Sequence, residues 1–241
     1  MNADSSAVFP LSLSRAALVA IDLQNGIAAG HTVPHSPETV VGNARRLCDA
    51  FTAGGGFIVL INVAYTDRGD LLKPPSDVPS YAALHDRTWS EIVPLLNAVP
   101  RTFRITKRQW GAFYGTELDL QLRRRGIDTL VLCGISTGIG VDTTARDAFQ
   151  LGYRQVFAED AMAAFTEEEH ALNAVRFFQR SAMYGLHRKF FLSSKPENRH
   201  YKKALSSAGR AFLMDSPSGT EKERNQGNRQ NGQEGRHKHR F

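Results

Sequence analysis

Three features of the sequence combine residue types and positions that could carry out chemistry. Asp22 ends the apolar run AALVAID, Lys107 ends the run TFRITK, and the glycine-rich segment Gly134–Gly140 follows DTLVLCG. A carboxylate beside an ammonium group can hold and transfer a proton, because burial and the neighbouring charge together set its pKa. Backbone N–H groups at a helix start can hold an anion or oxyanion. The structural alternatives are a loop-capping Asp22, a solvated Lys107 and a plain strand-to-helix turn.

The residues that carry these features lie at the ends of short apolar runs typical of buried parallel strands. The predicted strands are 16–22, 57–63, 102–107, 128–134 and 153–160. Strands that alternate with helices predict an α/β fold in which helices cover both faces of a mainly parallel sheet, as αβα layers. Ligands bind such sheets at the carboxyl ends of the strands, so we expect Asp22, Lys107 and the glycine-rich segment to converge there.

Helical spacing and capping residues predict the connecting helices. Helices are expected from Pro37 to about 53, at about 89–97, and at 116–125, 139–151 and 166–182. Ser36 is a plausible N-cap with Pro37 in the first turn, and Thr116 is a plausible cap that Gly126 would complement as a stop. The irregular segment 64–101 is a long loop inside an α/β domain, and such loops are more often functional than idle.

Composition and charge limit the possible partners. Of the 241 residues, 41% are hydrophobic, which is ordinary for a globular protein. The net charge of +6 comes from residues 185–241, which hold 13 Lys/Arg and 5 Asp/Glu, whereas residues 1–184 carry a net charge of −2. We therefore expect no nucleic-acid partner. The predicted organisation is an N-terminal extension at 1–14, one domain at 15–193, and a divergent, disordered basic tail at 194–241.

The sequence lacks several patterns that would indicate secretion, a membrane span or a metal site. The N-terminal segment lacks the pattern of a secretion signal, and no apolar run approaches the ~20 residues of a membrane helix. Cys48 and Cys133 are too few for a disulfide framework or a thiolate zinc site. We therefore expect a cytoplasmic protein without a membrane partner. The eight histidines show no ligand spacing, so neither a metal nor another cofactor is expected.

Several segments together resemble the isochorismatase-like, or cysteine hydrolase, superfamily. They are IDLQ at 21–24, KRQWGAFYGTELDLQLRRRGIDTLVLCGISTGIGVDTTARDAFQLGY at 107–153, and AEDAMAA at 158–164. The similarity extends over about 15–180 and is greatest to uncharacterised bacterial hydrolases that contain KRQWGAFYGT. It implies a Rossmann-like fold, a small-molecule substrate and a homo-oligomer.

The resemblance also implies roles for individual residues. Most members use an Asp-Lys-Cys triad, in which Asp22 would be the general acid or base and Lys107 its charge partner. The position of the nucleophilic cysteine, one residue before Val141, is occupied here by Gly140. Without a thiol, amide hydrolysis through a thioester is not expected. True isochorismatases also have glycine there, and they hydrolyse a vinyl ether by protonating a carbon atom and adding water.

Further residues are expected around the pocket. Gln24 would position a substrate or water, and Trp110 and Phe113 are favoured as pocket walls, although aromatic residues here could equally be core. Tyr114 is a further candidate for substrate binding. In the family, a cis peptide often helps to build the oxyanion hole at the place of Ile135–Ser136.

Two functions from different classes remain open. The first is a hydrolase without cofactor that uses Asp22, Lys107 and water, with vinyl-ether chemistry favoured over amide hydrolysis. The second is a catalytically inactive family member that acts as a binding or scaffolding protein, which the missing nucleophile and the unfamiliar C-terminus favour. In the family a final strand follows the last helix, and KFFLS at 189–193 is the candidate for it. A dinucleotide-binding protein is disfavoured because G-x-G-x-x-G is absent.

Overall fold

Six parallel strands form the centre of the fold. The computed structural model of the protein describes residues 11–77, 85–178 and 183–185. Its strands are β1 (Ala16–Ile21), β2 (Phe57–Val63), β3 (Phe103–Lys107), β4 (Thr129–Ile135), β5 (Arg154–Ala163) and β6 (Met183–Gly185). They lie in the order β3-β2-β1-β4-β5-β6, and every neighbouring pair is parallel. The strand order therefore reverses between β1 and β4.

Helices connect the strands and cover the sheet. They are α1 (Asn25–Ala28), α2 (Pro37–Ala53), α3 (Arg87–Ser90), α4 (Pro94–Asn97), α5 (Leu118–Arg124), α6 (Asp142–Gln150) and α7 (Glu167–Leu172). The connection through α2 runs from β1 to β2, whereas those through α5 and α6 run across the sheet in the opposite direction. Because such connections are right-handed, α2 covers one face of the sheet and α5 and α6 cover the other. The fold is a three-layer α/β structure.

The local sequence explains why the central elements form where they do. All six residues of β1 are buried, as expected for a strand with helices on both sides. The hydroxyl of Ser36 accepts a hydrogen bond from the Thr39 N–H, and Pro37 occupies the first turn of α2. The apolar face of this helix, which includes Leu47 and Phe51, packs into the core. These features place the end of β1 rigidly at the centre of the sheet.

The predicted elements match the structure closely, with a few differences. Four predicted strands agree to within one residue at each end, and β5 continues three residues further, to Ala163. The short helix expected at 89–97 is two helices, α3 and α4. The helix predicted at 116–125 is α5, which begins at Leu118 with Glu117 as its N-cap and ends at Arg124; the hydroxyl of Thr116 still accepts the Leu118 N–H. The helix predicted from 139 begins with a turn of π-helix, Thr137–Val141.

Some predictions fall on residues that the structure does not describe. They concern the strand at 189–193, the tail at 194–241, the end of the last helix at 179–182 and most of the extension at 1–14. Within the described part of that last helix, α7 is followed by a π-helix, Asn173–Phe178. The sixth strand that the structure describes is β6, which pairs with Val156–Ala158 of β5. No helix in the described segments is long and apolar enough to cross a membrane.

Candidate active site

Asp22 and Lys107 form a buried ion pair at the carboxyl edge of the sheet. Asp22 directly follows β1, and Lys107 is the last residue of β3, two strands away. The Lys107 Nζ atom lies 2.8 Å from Asp22 Oδ2, and the side chains are 2% and 6% exposed. Lys107 Nζ also donates a hydrogen bond to the carbonyl of Gln109, at 3.0 Å. The structure therefore brings together the two residues whose types suggested proton chemistry.

The backbone of Asp22 directs this carboxyl group out of the strand. Its N–H still donates to the Ile61 carbonyl of β2, at 2.8 Å, but its φ of +56° lies in the left-handed region. This region is uncommon for residues other than glycine, and such residues concentrate at functional sites. The turn ends the strand and leaves the carboxyl group beside Lys107.

The two oxygens of Asp22 differ in their surroundings. Oδ2 contacts Lys107, whereas Oδ1 is buried and has no hydrogen-bond partner within the described part of the chain. Burial raises the pKa of Asp22, and the charge and hydrogen bond of Lys107 lower it by less. A carboxyl group of this kind retains its proton to a higher pH than an exposed aspartate does.

Gly140 lies against the same carboxyl group. A Cβ atom at this position would be 2.8 Å from Asp22 Oδ2 and 3.1 Å from the Ile21 Cγ2 atom. Asp22 therefore occupies space that a side chain at position 140 would need. Nearby, at the point where strand order reverses, a Cβ on Gly134 would be 2.0 Å from the Ile21 carbonyl oxygen, and its φ is +137°. Glycine at 134 lets β4 approach β1 closely.

The turn after β4 is held by a carboxylate from α7. Glu169 Oε1 accepts hydrogen bonds from Ser136 Oγ, at 2.5 Å, and from the Gly138 N–H, at 3.1 Å, while its Oε2 accepts the Phe165 N–H. The Ile135–Ser136 peptide is cis, which agrees with what the resemblance implied for this position. The Ser136 hydroxyl and the Gly138 N–H, however, are directed to Glu169. Ile135 is fully buried. An anion-binding role for this turn remains a prediction.

A second carboxylate connects this turn to the rest of the fold. Thr137 Oγ1 lies 2.9 Å from His170 Nδ1, and His170 Nε2 lies 3.3 Å from Glu159 Oε1. The same Glu159 oxygen is 3.1 Å from His35 Nε2. Hydrogen bonds from these two histidines, that of His170 foremost, lower the pKa of Glu159 more than its partial burial raises it. Sequence spacing did not reveal this cluster, because its members are far apart in the chain.

Gln24 has a different role from the expected one. Its side chain is fully buried and bonds to the backbone of Val63 twice: Oε1 accepts the Val63 N–H at 2.8 Å and Nε2 donates to the Val63 carbonyl at 3.1 Å. Nε2 also contacts the Trp89 carbonyl at 3.4 Å. These bonds direct the amide towards the protein backbone. Gln24 therefore joins the ends of β1 and β2, next to Asp22 in the chain.

The aromatic residues predicted as pocket walls differ in their exposure. Phe113 is buried in the core with its ring stacked on Tyr153, 5.8 Å between centroids, and Tyr153 precedes β5 at the opposite edge of the sheet. Trp110 is 59% exposed and Tyr114 is 80% exposed. Packing against Tyr153 places the Phe113 ring in the core, and its role as a pocket wall stays a prediction. Trp110 and Tyr114 are surface residues in this chain.

A cavity of about 490 Å³ lies next to the segment that follows β2. It is formed by two segments, Ala64–Thr66 after β2 and His85–Ser90 around α3. Its lining includes Tyr65 and Trp89. Neither residue was singled out from the sequence, although both fall in the irregular segment 64–101, a long loop of the kind that is more often functional than idle. The presence of a tyrosine and a tryptophan in a long loop was the sequence feature that could have pointed to these two lining residues.

Other groups in the described residues do not add to the site. Both cysteines are buried, and burial raises the pKa of Cys48 to about 12 and that of Cys133 well above its usual range. Both are therefore poor nucleophiles. Within residues 11–77, 85–178 and 183–185, no group of three or more His, Cys, Asp or Glu side chains is arranged to hold a metal ion.

Comparison with known proteins identifies the family. The isochorismatase domain matches residues 16–185. An uncharacterized isochorismatase family protein of Bacillus subtilis, YwoC, is 49% identical over 70% of this chain and 89% of its own. The ureidoacrylate amidohydrolase RutB of Variovorax paradoxus is 33% identical over 63% of this chain and 71% of its own. The structure of an isochorismatase family protein from Burkholderia thailandensis has a TM-score of 0.73 and 37% identity, and covers 76% of this chain and 97% of its own.

The matched region contains the six strands that the structure describes, together with Asp22, Lys107 and the turn at 134–140. With this extent of similarity in sequence and in fold, the chain belongs to the isochorismatase family and is a hydrolase.

Proposed function

We propose that this hydrolase uses Asp22 as a general acid and water as the nucleophile, and that it cleaves a vinyl-ether bond in a small polar metabolite. The observation that carries the proposal is the buried carboxyl group of Asp22, with one oxygen on Lys107, one without a hydrogen-bond partner among the described residues, and Gly140 alongside. Glycine at position 140 provides no side chain to attack a substrate, so a covalent intermediate at that position is not available.

The chemistry follows from the ordinary reactivity of vinyl ethers. Protonated Asp22 gives its proton to the terminal carbon of the C=C bond, and the ether oxygen stabilises the resulting oxocarbenium ion. Water adds to the carbon atom that bears the oxygen and returns a proton to Asp22. The hemiketal then breaks into a ketone and an alcohol. The raised pKa of Asp22 favours the first step, because a buried carboxyl group holds its proton to a higher pH than an exposed aspartate does.

Lys107 has a balancing role in this mechanism. When Asp22 loses its proton, the ammonium group 2.8 Å away stabilises the carboxylate that forms. The positive charge of Lys107 therefore favours the transfer of the proton from Asp22 to the substrate. This use of a fixed neighbouring charge needs no reorganisation of solvent, because both side chains are almost fully buried.

Amide hydrolysis is the competing chemistry, since RutB, which is 33% identical, is named as a ureidoacrylate amidohydrolase. Gly140 and the raised pKa values of both cysteines disfavour it here. Loss of catalysis, with a binding role in its place, would require no acid at the end of β1. The strained backbone of Asp22 favours an active enzyme over that alternative.

The test is a turnover screen of the purified protein with isochorismate, other vinyl ethers and a panel of small amides. We expect vinyl-ether hydrolysis, and we expect Asp22→Asn to reduce kcat by at least about 100-fold, since an acid catalyst typically contributes that much. Asparagine keeps an oxygen acceptor for Lys107 but has no proton of suitable acidity to transfer.

Asp49→Asn is the matched control, because Asp49 is an exposed aspartate on α2 that pairs with Arg45. It should retain full activity, and circular dichroism should show that both variants are folded. Amide hydrolysis that depends on Asp22 would refute the proposed bond type. Full activity of Asp22→Asn would remove Asp22 from the mechanism, and inactivity of the unmodified protein on every substrate would favour the binding role.

A further inference from the structure

The residues that follow β3, 109–116, hold the ammonium group of Lys107 from one side, and we call them the β3–α5 segment. The Lys107 Nζ atom donates to the carbonyl of Gln109 at 3.0 Å. The side-chain amide of Gln109 in turn donates to the carbonyl of Gly111, at 3.3 Å, and to that of Tyr114. The position of the carbonyl that Lys107 uses therefore depends on how this short segment is folded.

Thr144 on α6 joins the β3–α5 segment to the turn beside the acid. Its hydroxyl accepts the N–H of Ala112, at 3.1 Å, and donates to the carbonyl of Gly140, at 2.7 Å. Thr144 and Ala112 are both fully buried. A bond from a helical threonine to the carbonyl four residues earlier is common. The bond from Ala112 is not of this local kind, because Ala112 is 32 residues away in the chain.

These contacts form a closed ring around the ion pair. The ring passes in order through Asp22, Lys107, Gln109, Ala112, Thr144 and Gly140. It closes because a Cβ atom at position 140 would be 2.8 Å from Asp22 Oδ2. Gln109 and Ala112 belong to the same segment, so Thr144 is the link between that segment and the turn after β4.

Close packing holds the β3–α5 segment against α6. A Cβ atom on Gly111 would be 2.7 Å from Asp147 Oδ2. The carbonyl of Ala112 accepts the Thr116 hydroxyl at 2.6 Å, so both backbone polar groups of Ala112 are bonded. A buried N–H group without a partner is costly. Loss of the Thr144 hydroxyl should therefore displace the segment, because Ala112 must then find another acceptor.

We infer that Thr144 is a positioning residue for the reaction, because through the β3–α5 segment it fixes the ammonium group of Lys107 beside the carboxyl group of Asp22. This inference rests on the proposed function only for the role of Asp22 as the acid. It also gives a role to the backbone of the KRQWGAFYGT stretch, whose first residue is Lys107.

The proton affinity of Asp22 reports the position of Lys107. The charge and hydrogen bond of Lys107 lower the pKa of Asp22 against the larger effect of burial. Tyr65, after β2, also lies within reach of the Asp22 charge. Burial foremost, and then the charges of Asp22 and Asp70, raise the pKa of Tyr65, so its phenol stays neutral where a carboxyl group titrates. A Lys107 that moves away should therefore let the pKa of Asp22 rise further.

The test is a titration of Asp22 by carbon-13 NMR in the full-length protein, labelled at the side-chain carboxyl carbons of aspartate. The Asp22 signal is identified by its absence from the Asp22→Asn variant. Thr144→Val keeps the shape of the side chain but removes the hydroxyl. We expect it to raise the pKa of Asp22 by about 0.5 or more, because the opposite charge of Lys107 is then less well placed. Thr144→Ser retains the hydroxyl and should leave the pKa of Asp22 unchanged.

Two further variants make the titration decisive. Thr52→Val is the matched control, because the Thr52 hydroxyl on α2 is buried without a hydrogen-bond partner among the residues that the structure describes. It should leave the pKa of Asp22 unchanged. Gln109→Leu removes the side-chain bonds within the β3–α5 segment and should raise the pKa of Asp22, as Thr144→Val does. If circular dichroism shows that Thr144→Val does not fold, Gln109→Leu decides the result.

The outcomes separate the inference from the proposed function. A merely structural role would make Thr144→Val less stable without moving the pKa of Asp22, and that result would overturn the inference. An equal rise in Thr144→Ser would overturn it too, since the hydroxyl would not be the cause. A raised pKa in Thr144→Val without vinyl-ether turnover by the unmodified protein would support the inference and refute the proposed reaction. Turnover that depends on Asp22, with an unchanged pKa in Thr144→Val, would do the reverse.

Where turnover is found, the kinetics should agree with the titration. We expect kcat of Thr144→Val to fall by about ten-fold or more with little change in KM, as for a contact that matters chiefly in the transition state. Thr144→Ser should restore kcat. A rise in KM alone would assign Thr144 to substrate binding and contradict a positioning role.

Discussion

The space around position 140 shows how an absent side chain shapes the surroundings of the acid. With glycine there, the Asp22 carboxyl group lies where a Cβ atom would otherwise be 2.8 Å from its oxygen. The acid can therefore remain on Lys107 without a steric conflict. The residue that removes the nucleophile also makes room for the acid that we propose in its place.

This contact makes Gly140→Ala an informative change. The added Cβ must displace the Asp22 carboxyl group or shift the turn, so we expect kcat/KM to fall by about ten-fold or more while the protein remains folded. Activity assays and thermal unfolding would measure the two effects. Gly42→Ala is the matched control, because a Cβ on this helical glycine meets no atom within 4 Å. It should raise the free energy of unfolding by about 0.5–1 kcal/mol.

Unchanged activity in Gly140→Ala would show that Asp22 does not depend on the space beside position 140. The argument for glycine as a functional feature would then fail, even if Asp22 were still required for turnover.

At the scale of elements, α7 controls the turn that follows β4. The carboxylate of Glu169 accepts from the Ser136 hydroxyl and the Gly138 N–H through one oxygen and from the Phe165 N–H through the other. The start of the following helix is therefore already balanced by a negative charge from within the protein. The turn is held rigidly, and the Ile135–Ser136 segment remains fixed beside Gly140.

Replacement of Glu169 by glutamine should disturb this arrangement, because an NH₂ group must then face at least one of these donors. We expect Glu169→Gln to lower the free energy of unfolding by about 1–3 kcal/mol, because this partly buried group loses hydrogen bonds that a charged carboxylate accepts. It should also lower kcat, because the turn beside the acid loosens. Urea unfolding and steady-state kinetics would measure both. Glu168→Gln, the exposed neighbour with the same change of charge, should leave both unchanged.

If Glu169→Gln were as stable and as active as the unmodified protein, the turn would not depend on this carboxylate. The packing of β4 and α6 would then be sufficient to fix it.

The elements themselves could largely be predicted from the sequence, because a strand buried on both faces must be mainly apolar, as β1 is throughout and β4 is after Thr129. Asp22 and Lys107 could be placed together because the ends of parallel strands meet at one edge. The orientation of Gln24 and Phe113 could not be predicted, since it depends on which neighbour each side chain reaches after folding. Val63 and Tyr153 are 39 and 40 residues away from them in the chain.

At the scale of the whole molecule, Glu159 joins three parts of the fold. Its carboxylate lies on β5 and contacts His35, in the segment before α2, and His170, on α7. These contacts lower its pKa below the ordinary value of 4.5. A carboxylate with a depressed pKa contributes stability that is fully present above the unfolded-state pKa. The contribution is lost as the pH falls from that value through the folded-state pKa.

We therefore expect the free energy of unfolding to decrease on acidification below about pH 4.5, in part through Glu159. Glu159→Gln should be less stable at neutral pH by about 2 kcal/mol, as expected for hydrogen bonds to a charged group. It should also lose part of this acid dependence. Denaturant unfolding at several pH values would measure it, with the exposed Glu117→Gln as control. An identical pH dependence in both variants would exclude Glu159 as a source of acid sensitivity.

The two hydrogen bonds between Gln24 and Val63 have a consequence for how the sheet ends. A peptide group in a strand presents one donor and one acceptor, and the side-chain amide of Gln24 presents the same pair to Val63. It thus acts as a substitute peptide that extends the hydrogen-bond ladder by one rung after the main chain has turned away at Asp22. The backbone of Asp22 can therefore leave the extended conformation of a strand, while the hydrogen bonds between the ends of β1 and β2 continue through Gln24. The Asp22 carboxyl group thereby points away from the strand towards Lys107 without a frayed strand end.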